Sequence, residues 1–189
     1  MFFQFRGRVR TNIYGDRLRS LEVNAMAQLA VLAVKKIEAL LRAPTGLAQG
    51  LAAVSEANGQ QLGQLSDQQI VAQNVSVELA EKATGTVYPT YYIYCEKLNN
   101  TLREKFRQFS GTAVMSVEVR VTHDRLEGIE QKAQFYVDAL IETLDASRGD
   151  WGNGQFYTGG YQISFSPVKL GGKHFVQTAK ATFEVQISK

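Results

Sequence analysis

Hydrophobic and polar positions change rhythm several times along the chain, and each change marks an element. From Asp16 to about Arg42, Leu18, Leu21, Ala25, Leu29 and Leu32, continued through Lys36 to Ala39 or Leu40, recur at helical spacing. This predicts a long helix over 17–42 that stops before Pro44-Thr45-Gly46. Residues 47–74 are rich in Gly, Gln, Ser and Ala, with a short helical stretch at Leu47 to Glu56 and little large apolar content between Asn58 and Gln69. They read as an insertion or mobile loop, and residues 57–74 as a segment that orders on assembly.

Beyond it the period shortens to two. VSVEL at 75–79 and TYYIYCE at 90–96 read as strands, with Pro89 suited to a strand start or edge. In MSVEVRVT (115–122), Met115, Val117, Val119 and Val121 alternate with Ser116, Glu118, Arg120 and Thr122, which predicts one core face and one wet face. Asp124 and Glu127 have capping-box spacing, so a helix is expected next, its stripe formed by Ile129, Ala133, Tyr136, Val137, Leu140, Ile141 and Leu144. RGDWGNGQFYTGG (148–160), with five glycines, reads as a loop. YQISFSPVKL and HFVQTAKATFEVQIS, joined at Gly171-Gly172, read as a closing hairpin in which Ala181, Phe183, Val185 and Ile187 face inward. The sum is one α+β domain over 1–189, an antiparallel or mixed β-sheet covered on one face by two α-helices, with a C-terminal β-hairpin. Its core is expected in 75–189 together with the helix 17–42.

Charge alters the picture at one end only. Residues 1–20 hold Arg6, Arg8, Arg10, Arg17 and Arg19 against Asp16, a net +4, so the whole-chain +3 leaves −1 for the remainder. A generally basic, nucleic-acid-binding body therefore loses support. In FQFRGRVRT (3–11) an extended chain puts Arg6, Arg8 and Arg10 on one side and Phe3, Phe5 and Val9 on the other. Such a row either blunts a strand edge or receives phosphate or carboxylate groups. The single cysteine, Cys95, excludes an intrachain disulfide framework and reads as a small buried hydrophobe in a reducing compartment. Neither a secretion signal nor membrane insertion is expected, because the most apolar stretch is interrupted by Gln28, Lys35 and Lys36.

Catalytic chemistry finds little to stand on. His123 and His174 each lie at the end of a strand-like run, His174 reads as solvent-facing, and HExxH, CxxC, GxSxG and Walker patterns are absent. No catalytic residue, cofactor or metal is expected. Trp151, Phe156 and Tyr157 either close the end of the core or serve as docking anchors, and the docking role is the one expected here.

From about Thr86 onward, YPTYYIYCE, FSGTAVMSVEVRVTH, GIEQKAQFYVDALIETL, GDWGNGQFYTGGYQISFSPV and GGKHFVQTAKATFEVQIS, in that order, resemble the tail terminator or tail completion proteins of long-tailed bacteriophages. The resemblance covers a little over half of the chain; residues 1–85 depart from it. It implies a non-enzymatic structural protein of the virion, assembled in the host cytoplasm. Such a protein forms a homo-oligomeric ring, usually a hexamer, that caps the tail tube at the head-proximal end of the tail and joins it to the head-tail connector or neck protein. In a ring, Arg6, Arg8 and Arg10 would either touch passing DNA transiently or pair with acidic side chains of an adjacent subunit or ring. The second is favoured, because strong attraction along a conduit would retard DNA. The alternatives are a head-completion or neck protein on the portal side, and a non-specific nucleic-acid-binding domain.

Overall fold

The structure, a computed structural model, describes residues 13–82, 86–101, 105–171 and 174–189, with side chains from residue 28 onward except that of Glu81. Arg6, Arg8, Arg10 and their strand-like alternation lie outside the described residues, as do the side chains of Arg17 and Arg19.

The predicted first helix is α1, Ile13–Arg42. Among its described side chains Leu29, Ala33, Ile37 and Leu41, spaced four apart, are the buried ones, whereas Leu32, Lys36 and Leu40 are only partly covered and Ala39 is exposed, so beyond Leu29 the buried row runs beside the one expected. Its last turn is tied down by Arg42, whose Nη2 pairs with Glu38 at 3.0 Å and donates to the Ile70 carbonyl at 2.8 Å.

Three readings between residues 47 and 82 are corrected. The short helical stretch read at Leu47 to Glu56 is α2, Leu47–Asn58, but it buries Leu47, Gly50, Leu51 and Val54 and so belongs to the core, not to an insertion. Gly50 makes this possible: a Cβ there would lie 2.7 Å from the Ala139 carbonyl oxygen of the helix beneath, so only glycine lets the two backbones meet. Leu62 and Leu65 also pack against the core, Gln69 donates to the Pro89 carbonyl at 2.7 Å, and Ile70–Val71 form a short strand, β1. Finally, VSVEL is not a strand. Ser76 caps a short helix, α3 (Val77–Lys82), its Oγ accepting from the Leu79 N–H at 3.3 Å, with Glu78 in the first turn. That cap outweighs a two-residue alternation only five residues long.

The sheet follows. β2 (Thr90–Asn99) and β3 (Ser110–His123) pair antiparallel from Thr90↔Arg120 to Asn99↔Thr112, with a bulge at Glu96. Next along the chain come α4 (Ile129–Ala146), β4 (Gly149–Gly152), β5 (Gln155–Phe165), β6 (Lys169–Gly171) and β7 (His174–Ser188). The sheet order is β1-β2-β3-β7-β5-β4, with β6 also on β7 and β1 parallel to β2. The fold is thus α+β with a mixed sheet and a closing hairpin, as expected. α1 and α4 cover one face, α1 over β2 and α4 over β3 and β7, while α2 stacks on α4.

Two local signals resolve differently. The Asp124–Glu127 capping box does not form: α4 starts at Ile129 after Gly128, whose φ of 84° turns the chain, and Asp124 is engaged elsewhere. The five-glycine segment is a hairpin of β4 and β5, turning at Asn153 and Gly154, both with positive φ. Its glycines are turn chemistry within a sheet.

Candidate functional site

Trp151, Phe156 and Tyr157 do not form one surface. Tyr157 pairs with Val185 and is fully buried, its ring 5.3 Å from Trp151 and 5.2 Å from Phe183. Trp151 is 7% exposed, and its Nε1 donates to the Ser147 carbonyl at the end of α4 at 2.7 Å. Burial, reinforced by the Asp145 charge, pushes the Tyr157 hydroxyl up to about 12. Both residues therefore close the core, which corrects their expected role as exposed anchors. Of these three only Phe156, opposite Gln186 on the other side of the sheet, is exposed, at 45%.

The structure brings forward an apolar row that period alone did not single out. Tyr161, Ile163 and Phe165 of β5 lie opposite Phe183, Ala181 and Ala179, so they share the helix side of the sheet. They run beyond the helices' cover: Tyr161 and Phe165 are 37% and 42% exposed, and Ile163 is partly buried against the core. Among the described residues no strand pairs with β5 beyond Tyr157 on its outer side, because β4 stops there. At the opposite side of the sheet β1 pairs with Tyr91 and Tyr92, and among the described residues no strand lies on the outer edge of β2 from Ile93 to Asn99. Among the described residues the sheet thus ends in two open backbone edges, one with an aromatic row beside it. The sequence signal was present in YQISF, where two aromatics flank an isoleucine at alternate positions just after Gly159-Gly160.

The face away from the helices was expected to be wet; it is instead a built polar layer. Ser116 and Arg120 are 0% and 2% exposed. Long side chains from both neighbouring strands cover them. Tyr94 donates to Glu118 Oε1 at 2.6 Å, and Glu118 Oε2 accepts from Arg120 at 2.8 Å. Arg120 lies 4.3 Å over the Tyr92 ring and also donates to the Val75 carbonyl. Ser116 donates to Glu96 at 2.8 Å, and Glu96 is ion-paired with Lys180. Burial and the bond to Glu118 push the Tyr94 hydroxyl far above its ordinary range.

Lys180 and then Ser116, by hydrogen-bonding to Glu96, hold its carboxyl below the ordinary value. The folded value lies below the unfolded one, so this contribution is fully present above the unfolded value near 4.5 and is lost as pH falls through the folded one. Glu96→Gln is therefore expected to lose less stability than the wild type between about pH 5 and about pH 3, read from urea midpoints. Parallel pH profiles would contradict the pairing.

The candidate bases are peripheral. His174 is half-exposed, as expected, with Nδ1 2.7 Å from Asp124, a partner brought by folding from 50 residues away. His123 Nδ1 accepts from the Arg125 N–H at 3.0 Å. Cys95 is half-buried, and burial pushes its thiol up. Among the described residues no group of three or more His, Cys, Asp or Glu is placed to hold a metal ion, and no helix is long and apolar enough to cross a membrane. No protein-family model and no curated protein matches the chain.

Proposed function

We propose that this chain is a structural virion protein, a bacteriophage tail terminator that caps the tail tube as a homo-oligomeric ring and joins the tail to the head connector. The observation that carries this reading is the pair of edges, open among the described residues, at opposite ends of one sheet. An edge at each end allows the same contact to be made head-to-tail by every copy, and such contacts close into a ring when the rotation between copies permits. The aromatic row on β5 gives that contact an apolar margin. The resemblance from Thr86 onward supplies the tail-tube and connector partners and the hexameric count. A ring of this kind works by shape, which agrees with a polar layer whose charges are engaged in pairs. A nucleic-acid surface is less well supported, since Arg120 and Lys180 each face a glutamate.

Light scattering of the purified protein, with and without preformed tail tubes, tests the reading. A closed ring, or a monomer that becomes one on tubes whose growth then stops, is the expected result; a monomer indifferent to tubes would overturn it. The arginine arm has its own test. Replacing Arg6, Arg8 and Arg10 with alanine is expected to weaken joining to the connector at least tenfold, because the loss repeats in every subunit. Joining at wild-type efficiency would remove the arm from the interface.

A further inference from the structure

Phe106 stands in the loop between β2 and β3 with its side chain fully exposed. Its φ of 66° lies in the left-handed region, which a bulky side chain occupies only at an energetic cost. The base of the loop is fixed. Phe109 is buried in the core, the N–H groups of Gln108 and Phe109 both donate to the Lys189 carbonyl, at 2.7 and 3.0 Å, and the Ser110 N–H donates to Asn100 Oδ1 at 3.1 Å. A single exposed aromatic is ordinary in a folded protein, but one held in strained backbone above a clamped base is preorganised for a contact. Lys105, exposed beside it, gives the ring a positive flank.

A matching hollow exists elsewhere on the chain. Between α2 and residues 60–65 lies a cavity of about 800 Å³, lined by Leu51, Leu62 and Leu65 and by Ala48 and Ala52, one helical turn apart. The rest of its lining is serine, glycine and glutamine, so it holds no charge and has room for an aromatic ring. Glu56, exposed one turn beyond Ala52, supplies a negative rim. A copy cannot fill its own hollow. The Gly63 N–H at the hollow donates to the Tyr136 hydroxyl, and the Tyr136 carbonyl accepts from Tyr91 near the start of β2, whereas Phe106 follows the far end of that strand. The run from Tyr91 to Asn99 spans roughly 26 Å, and the clamped loop base prevents Phe106 from swinging back. We infer that the Phe106 ring of one copy inserts into the α2 hollow of the next, with Lys105 set against Glu56. Knob and hollow occupy different surfaces, so the contact is head-to-tail. It rests on the self-association proposed above and is separate from the β5 edge.

Cross-linking of the full chain in a Cys95→Ala background reads the contact. Chains carrying Gln108→Cys beside the knob and chains carrying Ala53→Cys beside the hollow, differently tagged, are co-expressed and treated with a short bismaleimide, and light scattering gives the mass. The expected product joins position 108 of one copy to position 53 of another. Phe106→Asn removes the ring but tolerates the left-handed backbone, so it is expected to cut the yield at least about tenfold without lowering the denaturation midpoint. Glu56→Lys is expected to cut it about threefold, and Lys105→Glu added to the same chain to restore it. A ring without the cross-link, or a yield indifferent to Phe106→Asn, would overturn the inference and leave the ring standing. The cross-link in a species that never closes would support the contact and remove the ring. A monomer without the cross-link would overturn both, and failure of the charge exchange to restore the yield would overturn the pairing of Lys105 with Glu56.

Discussion

Trp151→Ala is expected to destabilise the fold by about 3 to 5 kcal/mol, the range for removing a large aromatic from a packed interior. Its ring lies against Tyr157, which in turn lies against Phe183 on β7, and its Nε1 holds the carbonyl that ends α4. Truncation would leave a cavity where the β4–β5 hairpin meets the helix and would strip a partner from Ser147. Chemical denaturation followed by circular dichroism checks this, since the chain has one tryptophan and the variant none. Phe156→Ala is the control: nearly half exposed and on the opposite side of the sheet, it should stay within about 1 kcal/mol of wild type. A Trp151→Ala protein as stable as Phe156→Ala would contradict the packing described. The comparison matters for function too, because a capping defect in Trp151→Ala would report lost folding, while one in Phe156→Ala would report a lost contact.

Replacing Tyr161 and Phe165 together with lysine is expected to convert a ring into monomers while leaving the fold intact. Fully burying one such aromatic is worth roughly 1.5 to 3 kcal/mol, and each is already more than half covered in the single chain. The pair then contributes on the order of 2 kcal/mol to each interface, repeated around the ring, and two lysines on an edge strand add mutual repulsion with whatever approaches it. Light scattering should give the monomer mass, with the denaturation midpoint close to wild type. A double variant that still forms rings of wild-type mass would exclude the β5 edge as the subunit contact.

Where pattern and burial had the same cause, the sequence was a good guide. The alternation in MSVEVRVT and ATFEVQI and the stripe of α4 arise from one face meeting the core, and each of these elements stands where expected; α1 also stands where expected, but its buried row of Leu29, Ala33, Ile37 and Leu41 shares only Leu29 with the row read from the sequence. Reading failed where the deciding contact was distant. Nothing within 47–58 announces that Gly50 will touch Ala139, so a core helix looked like an insertion. Arg120 occupies a position that alternation assigns to solvent, and only the arrival of Val75 and Tyr92 makes it interior. Local competition explains the other errors. Ser76 capped a helix inside an apparent strand, and glycines at positive φ supplied a hairpin that composition alone called a loop. Trp151 and Phe156 illustrate the limit for sites: aromatics five residues apart ended on opposite sides of a sheet because their register was set by β5, not by their own spacing.

The bulge in β5 between Tyr157 and Tyr161 bears on the life of the chain before it meets any partner. A bare sheet edge recruits any extended peptide, and an edge bordered by aromatics is a nucleus for amyloid-like stacking. Gly159, at φ 94°, interrupts that edge, and the Arg148 side chain lies against it so closely that a Cβ there would sit 2.3 Å from its Nε. The register break and the overlying arginine leave only the short run 161–165 flat enough to template growth. In the single chain the β5 edge is thereby narrowed to that short run, and the narrowing rests on two residues, Arg148 and Gly159, that are not part of the hydrophobic core.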